Sequence, residues 1–177
     1  MSHGINLNEQ ATSVATPVVV QTGVPIVVGI APIQKAAHPA AVGVPTLCTD
    51  WDDFVDKFGY TDDWDNYKGI SEFAYSHFKV YGMSPMIVIN LLNISTAKTA
   101  VSAADKAVSD HQVKLPVDAI PSSIVVKAAG GNGTAYVEGT DYDVFFDGDD
   151  CVIELISTSA HYSEASLNVA YDKANPA

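Results

Sequence analysis

The pattern of apolar positions starts with two β-branched runs between residues 16 and 32. Val18–Val20 and Ile26–Val28 are separated by a Gln-Thr-Gly-Val-Pro segment, and glycine and proline residues bound the second run. A continuous apolar run bounded by turn residues is typical of a strand that is buried on both faces. We therefore predict a central strand over residues 24–30, around which the remainder of the chain is organised.

A helical period follows an Ala- and Pro-rich loop that we predict over residues 31–44. Residues 50–58 are predicted to form a helix, because their apolar positions recur at i, i+3, i+4 and i+7. Thr49 or Asp50 can cap its start, acidic residues occupy its first turn, and Gly59 can end it. The apolar face consists of Trp51, Phe54, Val55 and Phe58.

A second helix is predicted over residues 67–81, followed by another buried strand over residues 84–91. Two strands joined by helices form a crossover connection, so we expect this strand to run parallel to residues 24–30, with a right-handed connection. His77 lies beside the apolar face of the helix and is predicted to be a packing or surface histidine. That apolar face consists of Ile70, Phe73, Ala74, Phe78 and Tyr81.

The pattern changes again after residue 93. Ser, Thr, Ala and Lys dominate residues 93–110, for which we predict a linker with a turn or two of helix. Beyond it the apolar period is two, and glycine-rich turns separate short runs, which is typical of a small β-barrel or β-sandwich. The predicted strands are residues 112–115, 124–128, 134–138, 143–146, 151–156 and 167–171.

Together these patterns predict an α/β (α+β) chain in four parts. They are an N-terminal arm over residues 1–16, an α/β core portion over 17–95, a linker over 96–110 and a small β-barrel or sandwich domain over 111–177. The core portion has two strands and two helices, so we expect it to be one incomplete half of an α/β sandwich.

The arm has a weak two-residue period. Ile5 and Leu7 alternate with Asn6 and Asn8, which favours a short strand over a helix. Terminal segments of this kind are usually frayed. The alternative is a strand that becomes ordered only when it adds to the edge of another sheet.

The net charge of the chain limits the classes of molecule that we expect it to bind. The chain has 21 acidic and 9 basic residues, and its net charge of −12 repels a phosphate backbone, so we expect no nucleic-acid binding. The acidity favours solubility, or it forms patches that meet basic patches on copies of the chain. No apolar run reaches the roughly 18 to 20 residues of a membrane helix, and the first residues do not resemble a secretion signal. We expect no direct membrane insertion.

Candidate chemistry is sparse. The acidic turn of Asp62, Asp63 and Asp65 fails the spacing of a calcium loop, and residues 130–133 lack the Lys-Ser/Thr that follows a phosphate loop. Cys48 and Cys151 are predicted to be reduced thiols with no catalytic partner. With no catalytic motif in the sequence, we expect no enzyme, no cofactor and no metal site.

Segments along the whole chain resemble the tail sheath proteins of contractile (myovirus-type) phages, including the β-domain inserted into them. Their order and spacing carry the resemblance more than any single motif. The segments are His3-Gly4-Ile5, the region of Glu9 and Thr12, Pro17-Val18, residues 23–32, Phe58-Gly59-Tyr60, Asp63-Trp64, the helix before Tyr81-Gly82, residues 85–90 and residues 137–144.

The resemblance implies a structural protein of a virion, assembled in the cytoplasm of the bacterial host. Sheath subunits form hexameric rings around an inner tube, contact the baseplate and the tail terminator, and contract to drive the tube through the bacterial envelope. Their terminal arms add strands to the sheets of neighbouring copies. Carried onto this chain, residues 10–16 are the hinge, and the assembly arm consists of Gly4, Ile5, Asn6, Leu7, Asn8 and Glu9.

One departure from the family is that sheath proteins continue beyond the β-domain with strands and helices that complete the core. The chain is then either an N-terminal portion or one of two separate chains, and its α/β half is expected to expose apolar surface. Two other classes of function remain open: a β-module that binds a surface ligand such as a glycan, and a small α/β enzyme with a site near Ile30 and Leu91.

Overall fold

The computed structural model describes residues 23–67 and 69–176, which form an α/β unit up to residue 92 and a β unit from residue 98 onward. The predicted mixed α+β class is confirmed. The helices are α1 (Trp51–Phe58) and α2 (Ile70–Ala74), and α2 continues as a π-helical segment, Tyr75–Val80. The strands are β1 (Ile26–Gly29), β2 (Thr46–Cys48), β3 (Met86–Asn90), β4 (Lys98–Ala107), β5 (Gln112–Leu115), β6 (Val125–Ala128), β7 (Tyr142–Asp147), β8 (Asp150–Leu155) and β9 (Ser166–Ala174).

The sheet of the α/β unit has three strands in the order β1-β3-β2. β1 and β3 are parallel as predicted, with Ile26 opposite Ile87 and Val28 opposite Ile89. β2 was missed by the sequence patterns and pairs with β3 in the antiparallel direction. The prediction that residues 24–30 form the central strand is therefore wrong for the described residues, because β3 occupies the centre and β1 lies at an edge.

The prediction that the first strand is buried on both faces is also wrong. Ile26 is 62% exposed and Val28 is 54% exposed, whereas Val27 between them packs on the core. A continuous apolar run shows that both faces of a strand are apolar, but it does not show that both faces are covered. In the described part of the chain only one face of this sheet is covered.

Helix α1 forms where the local signals place it. The Asp50 carboxylate accepts a 2.9 Å hydrogen bond from the backbone N–H of Asp53, which caps the helix. Gly59 ends the helix with a φ of +69° and a ψ of 173°, a combination that is essentially restricted to glycine. Phe54 and Phe58 are buried, and they join Ala31, Cys48, Ala74 and Met86 in the core of the α/β unit.

The second helix departs from its predicted face. It begins at Ile70, and its turns widen to a π-helix after Ala74. A π-helical turn holds about one residue more than an α-helical turn, so the side that faces the core shifts along the sequence. His77 is consequently buried, whereas Tyr81, predicted to face the core, is 72% exposed.

The β unit consists of two three-stranded sheets, ordered β4-β9-β6 and β5-β8-β7. Of the predicted barrel or sandwich, only the sandwich fits, because neither sheet closes on itself and both contribute to one apolar core. Five of the six predicted strands are present as β5 to β9, with ends shifted by up to three residues. The core consists of Val113, Leu115, Ala119, Ile124, Val126, Tyr142, Cys151, Ile153, Leu155, Leu167, Val169 and Tyr171.

Two predictions for this part of the chain are wrong. Residues 96–110, predicted as a linker with helical turns, contain β4, a ten-residue strand that pairs with β9 around an irregularity between Val101 and Ala104. Most residues of β4 are small or polar and exposed, and Val101 alone of this strand packs on the core, so β4 has no apolar period and only its pairing with β9 identifies it. Residues 134–138, predicted as a strand, form no strand, and the Val137 N–H donates to the Asp141 carboxylate.

Candidate functional site

The predicted assembly arm lies outside the described residues. This applies to Gly4, Ile5, Asn6, Leu7, Asn8 and Glu9, and also to the Val18–Val20 run. Within the described part of the chain, the candidate site is the uncovered side of the α/β sheet. We call it the open face and define it by five residues: Ile26, Val28, Leu47, Ile87 and Ile89.

The register of the three strands places these five side chains together. Ile26 of β1 and Leu47 of β2 both pair with Ile87 of β3, so the three lie in one row across the sheet. Val28 and Ile89 form the next row. Side chains opposite one another in paired strands point to the same face, so the open face is continuous across all three strands.

The open face contrasts with the opposite face of the same sheet. Met86, Val88 and Cys48 point to that other side and are buried with α1 and α2. Burying a Val, Leu or Ile side chain contributes roughly 1.5–3 kcal/mol. On the open face most of that free energy is not gained within the described residues. Contiguous exposed apolar surface is a feature of sites that bind proteins, membranes or ligands, which makes the open face the candidate site in the described residues.

The two edges of the sheet differ in their capacity to accept another strand. At the β2 edge the Leu47 carbonyl already accepts a 3.0 Å hydrogen bond from the Lys57 Nζ, and β2 has only three residues. At the β1 edge the described residues supply only a single bridge, between Ile30 and Gly69. An edge strand with unpaired backbone groups is a template for pairing, so the β1 edge is the better acceptor.

The thiols are poorly suited to chemistry. Burial raises the pKa of Cys48 to about 12 and that of Cys151 to about 11, so both remain protonated thiols at neutral pH. Neither thiol lies at a surface, because both side chains are fully buried in the cores of their units.

The sequence segments that resemble ion sites have partners within the chain. The Gly130 N–H donates to both oxygens of the Asp105 carboxylate, at 2.9 and 3.0 Å, so this loop binds a carboxylate of its own unit. In the acidic turn, Asp63 accepts from the Asn66 side chain and Asp62 accepts from the Tyr60 hydroxyl. No group of three or more His, Cys, Asp or Glu side chains in residues 23–67 and 69–176 is arranged to hold a metal ion.

One end of the β unit carries two pairs of stacked rings. The rings of His111 and Tyr162 are 3.8 Å apart, and those of Tyr136 and His161 are also 3.8 Å apart. A shallow cleft of about 300 Å³ adjoins the first pair and is lined by polar groups of Asp143 and neighbouring residues. The wall of this cleft combines the Tyr162 ring with the side chains of Asp143 and Glu154.

Comparison with known proteins gives no identification. No protein-family model matches the chain, and no curated protein or solved structure matches it at a significant level. None of the helices in the described residues is long and apolar enough to cross a membrane.

Proposed function

We propose that this chain is a structural subunit of a contractile tail sheath, of a phage, a prophage or a phage tail-like particle. The observation that supports the proposal most is the open face. Within the described residues this sheet has one apolar face and one acceptor edge uncovered, which suits it to receive further polypeptide, and sheath subunits assemble by adding strands to one another's sheets. The order of elements, an α/β unit followed by a β unit, agrees with the family resemblance described above.

In this role the partners are copies of the chain in hexameric rings, the inner tail tube, the baseplate and the tail terminator. The subunit acts in the virion and assembles in the host cytoplasm. Its work is mechanical, without a catalytic site, a cofactor or contact with nucleic acid. Strand addition keeps neighbouring copies connected while flexible segments absorb the rotation of contraction.

Electron microscopy of the purified protein tests the proposal. Negatively stained protein is expected to contain rings or striated tubes. A protein that remains monomeric at high concentration, with neither rings nor tubes, would count against a sheath subunit.

A pair of matched variants tests the arm. Changing Ile5 and Leu7 to Asp places two charges on the apolar side of the predicted arm strand, whereas changing Asn6 and Asn8 to Asp adds the same charge on its polar side. We expect the first variant to abolish tubes and the second to form them, with identical circular dichroism for both. Equal polymerisation of the two variants would contradict a role for the arm strand.

A surface-ligand-binding module is the second candidate, favoured by the paired rings at the end of the β unit. It predicts that the whole chain binds glycans on an array and that Tyr162→Ala abolishes the binding. The absence of any glycan hit would exclude this candidate without affecting the first.

A further inference from the structure

A single short turn of the α/β unit contacts two separate loops of the β unit. This turn is a 3₁₀ helix, Ile33–Lys35, which we call the latch turn. Ile33 is buried in the core of the α/β unit, and the next two residues extend toward the β unit. Three consecutive residues thus join an anchor in one unit to two contacts with the other.

Gln34 makes the first contact. Its side-chain Nε2 donates to the Tyr67 hydroxyl at 2.7 Å and to the Val117 carbonyl of the β unit at 2.9 Å. Tyr67 is itself buried in a small apolar cluster with Leu92, Ile120 and Ala174, to which both units contribute. Because Gln34 is buried, these hydrogen bonds are shielded from competing water.

Lys35 makes the second contact, at the turn between β7 and β8. Its ammonium group donates to the Gly148 carbonyl and to the Asp149 carboxylate, each at 2.8 Å, and lies 5.5 Å from the centre of the Phe146 ring. The Lys35 side chain is only 10% exposed. A buried ammonium group depends on these acceptors, since losing them leaves its charge unpaired.

The other oxygen of Asp149 extends the contact to a second segment of the α/β unit. It accepts a 3.3 Å hydrogen bond from the Asp62 N–H. Asp149 therefore bridges the latch turn and the turn that follows α1. By contrast, the adjacent Asp150 pairs with Lys114 of β5, entirely within the β unit.

The latch turn rests on the end of α1. A Cβ atom added at Gly59 would lie 2.4 Å from the Pro32 carbonyl oxygen and 2.9 Å from the Lys35 Cβ. The close approach of the Gly59 backbone to Pro32 and Lys35 thus fixes the position of the latch turn against the end of α1. Within the described residues, residues 93–97 form the only covalent connection between the two units.

We propose that the latch turn locks the β unit onto the α/β unit, so that the two open and move as one cooperative body. The single covalent connection cannot by itself hold two units in one orientation. Gln34 and Lys35 contact two loops at one end of the β5-β8-β7 sheet, and these contacts, together with the hydrogen bond from the Asp62 N–H to Asp149, restrict rotation of the β unit. This inference concerns the chain itself and does not depend on the sheath proposal.

The two native cysteines provide the test, because each unit contains one buried thiol. Alkylation of the folded chain by iodoacetamide, followed by mass spectrometry, reports the opening of the α/β unit at Cys48 and of the β unit at Cys151. In the wild-type chain we expect both thiols to become reactive over the same range of urea concentration. Asp149→Ala, a change in the β unit, is expected to raise the alkylation rate of Cys48 in the other unit at least about tenfold.

Asp150→Ala is the matched control, because it removes the neighbouring carboxylate of the same turn and breaks a pair internal to the β unit. It should leave the Cys48 rate within about twofold of wild type. Equal Cys48 rates in the Asp149→Ala and Asp150→Ala variants would overturn the latch.

Lys35→Met tests the same contact from the opposite side. It is expected to expose Cys48 as Asp149→Ala does, and the double variant should add little to either single change, because both remove one interaction. If the rate increases of the two single changes multiply in the double variant, the assignment of Lys35 and Asp149 to one latch is overturned.

Discussion

The β unit and the α/β unit bury their sheets to different extents. In the β unit two three-stranded sheets turn apolar side chains toward one another, and strands from both sheets supply one shared core. In the α/β unit a single three-stranded sheet is covered by helices on one face, while Ile26, Val28 and Leu47 remain exposed on the other. The comparison indicates that apolar sheet surface stabilises the β unit, whereas in the α/β unit part of it is left uncovered by the described residues.

The largest effect is expected in the covered core of the α/β unit. Phe54→Ala removes a fully buried ring that packs on Phe58 and Phe78, and should lower the free energy of unfolding by about 3–5 kcal/mol. Urea unfolding followed by tryptophan fluorescence measures it, because both tryptophans, Trp51 and Trp64, belong to this unit. A loss below about 1 kcal/mol would show that this core is much less tightly packed than the contacts of Phe54 indicate.

A smaller loss is expected at the end of α1. Gly59→Ala combines a backbone conformation that is essentially restricted to glycine, which costs about 1–3 kcal/mol for a residue with a Cβ, with a clash against the Pro32 carbonyl. Gly43→Ala is the control, because Gly43 has a similar φ of +74° but open space around its Cβ position. Thermal unfolding should show the larger loss for Gly59→Ala. Equal losses would mean that the close approach of Gly59 to the Pro32 carbonyl does not contribute to the loss of stability.

Two substitutions in one strand compare the two faces of the sheet directly. Val27→Thr places a hydroxyl against the covered core and should cost about 1–3 kcal/mol, whereas Val28→Thr on the open face should change stability by less than about 0.5 kcal/mol. Val28→Thr should instead reduce self-association, which light scattering measures at increasing protein concentration. The reverse ranking of the two variants in stability would place the core on the other side of β1.

The smallest expected effect is the loss of the Asp149 contribution to stability at low pH. Burial alone would raise the pKa of Asp149, but hydrogen bonds from Lys35, Thr61 and Asp62 outweigh it and hold this pKa below its ordinary value of 3.8. The contribution of Asp149 is therefore fully present above about pH 4 and is lost as the pH falls through the folded-state pKa. Cys48 and Cys151 should stay equally protected from pH 8 to pH 5. A difference between the protection of Cys48 and that of Cys151 that is already present at pH 6 would contradict this prediction.

Sequence patterns predicted the structure best where an element is determined by residues within or next to it. Asp50 and Gly59 lie at the ends of α1, so the helix was placed to within one residue. β4 was missed because its strand character comes from pairing with β9, some seventy residues later, and not from its own small side chains. The π-helical turns were missed for a similar reason, since no single residue in Tyr75–Val80 specifies the wider turn.

Contacts between units were beyond any local pattern. Lys35 and Asp149 are separated by 114 residues, and an isolated lysine in an Ala- and Pro-rich loop gives no indication of its partner. The exposure of Ile26 and Val28 could not be derived either, because coverage of a sheet face depends on which other elements pack there. The residues of the proposed arm lie outside the described part of the chain and stay a prediction.

The bond from Lys57 to the Leu47 carbonyl has a consequence for the symmetry of an assembly. Because Lys57 occupies one carbonyl of the short strand β2, the proposed addition of a strand from another copy is expected at β1, the edge with fewer partners in the described residues. If the donated strand comes from the arm, donor and acceptor are different parts of the chain, and the contact is head-to-tail. Such a contact has polarity and does not stop at two copies, so it extends into closed rings or an open helix.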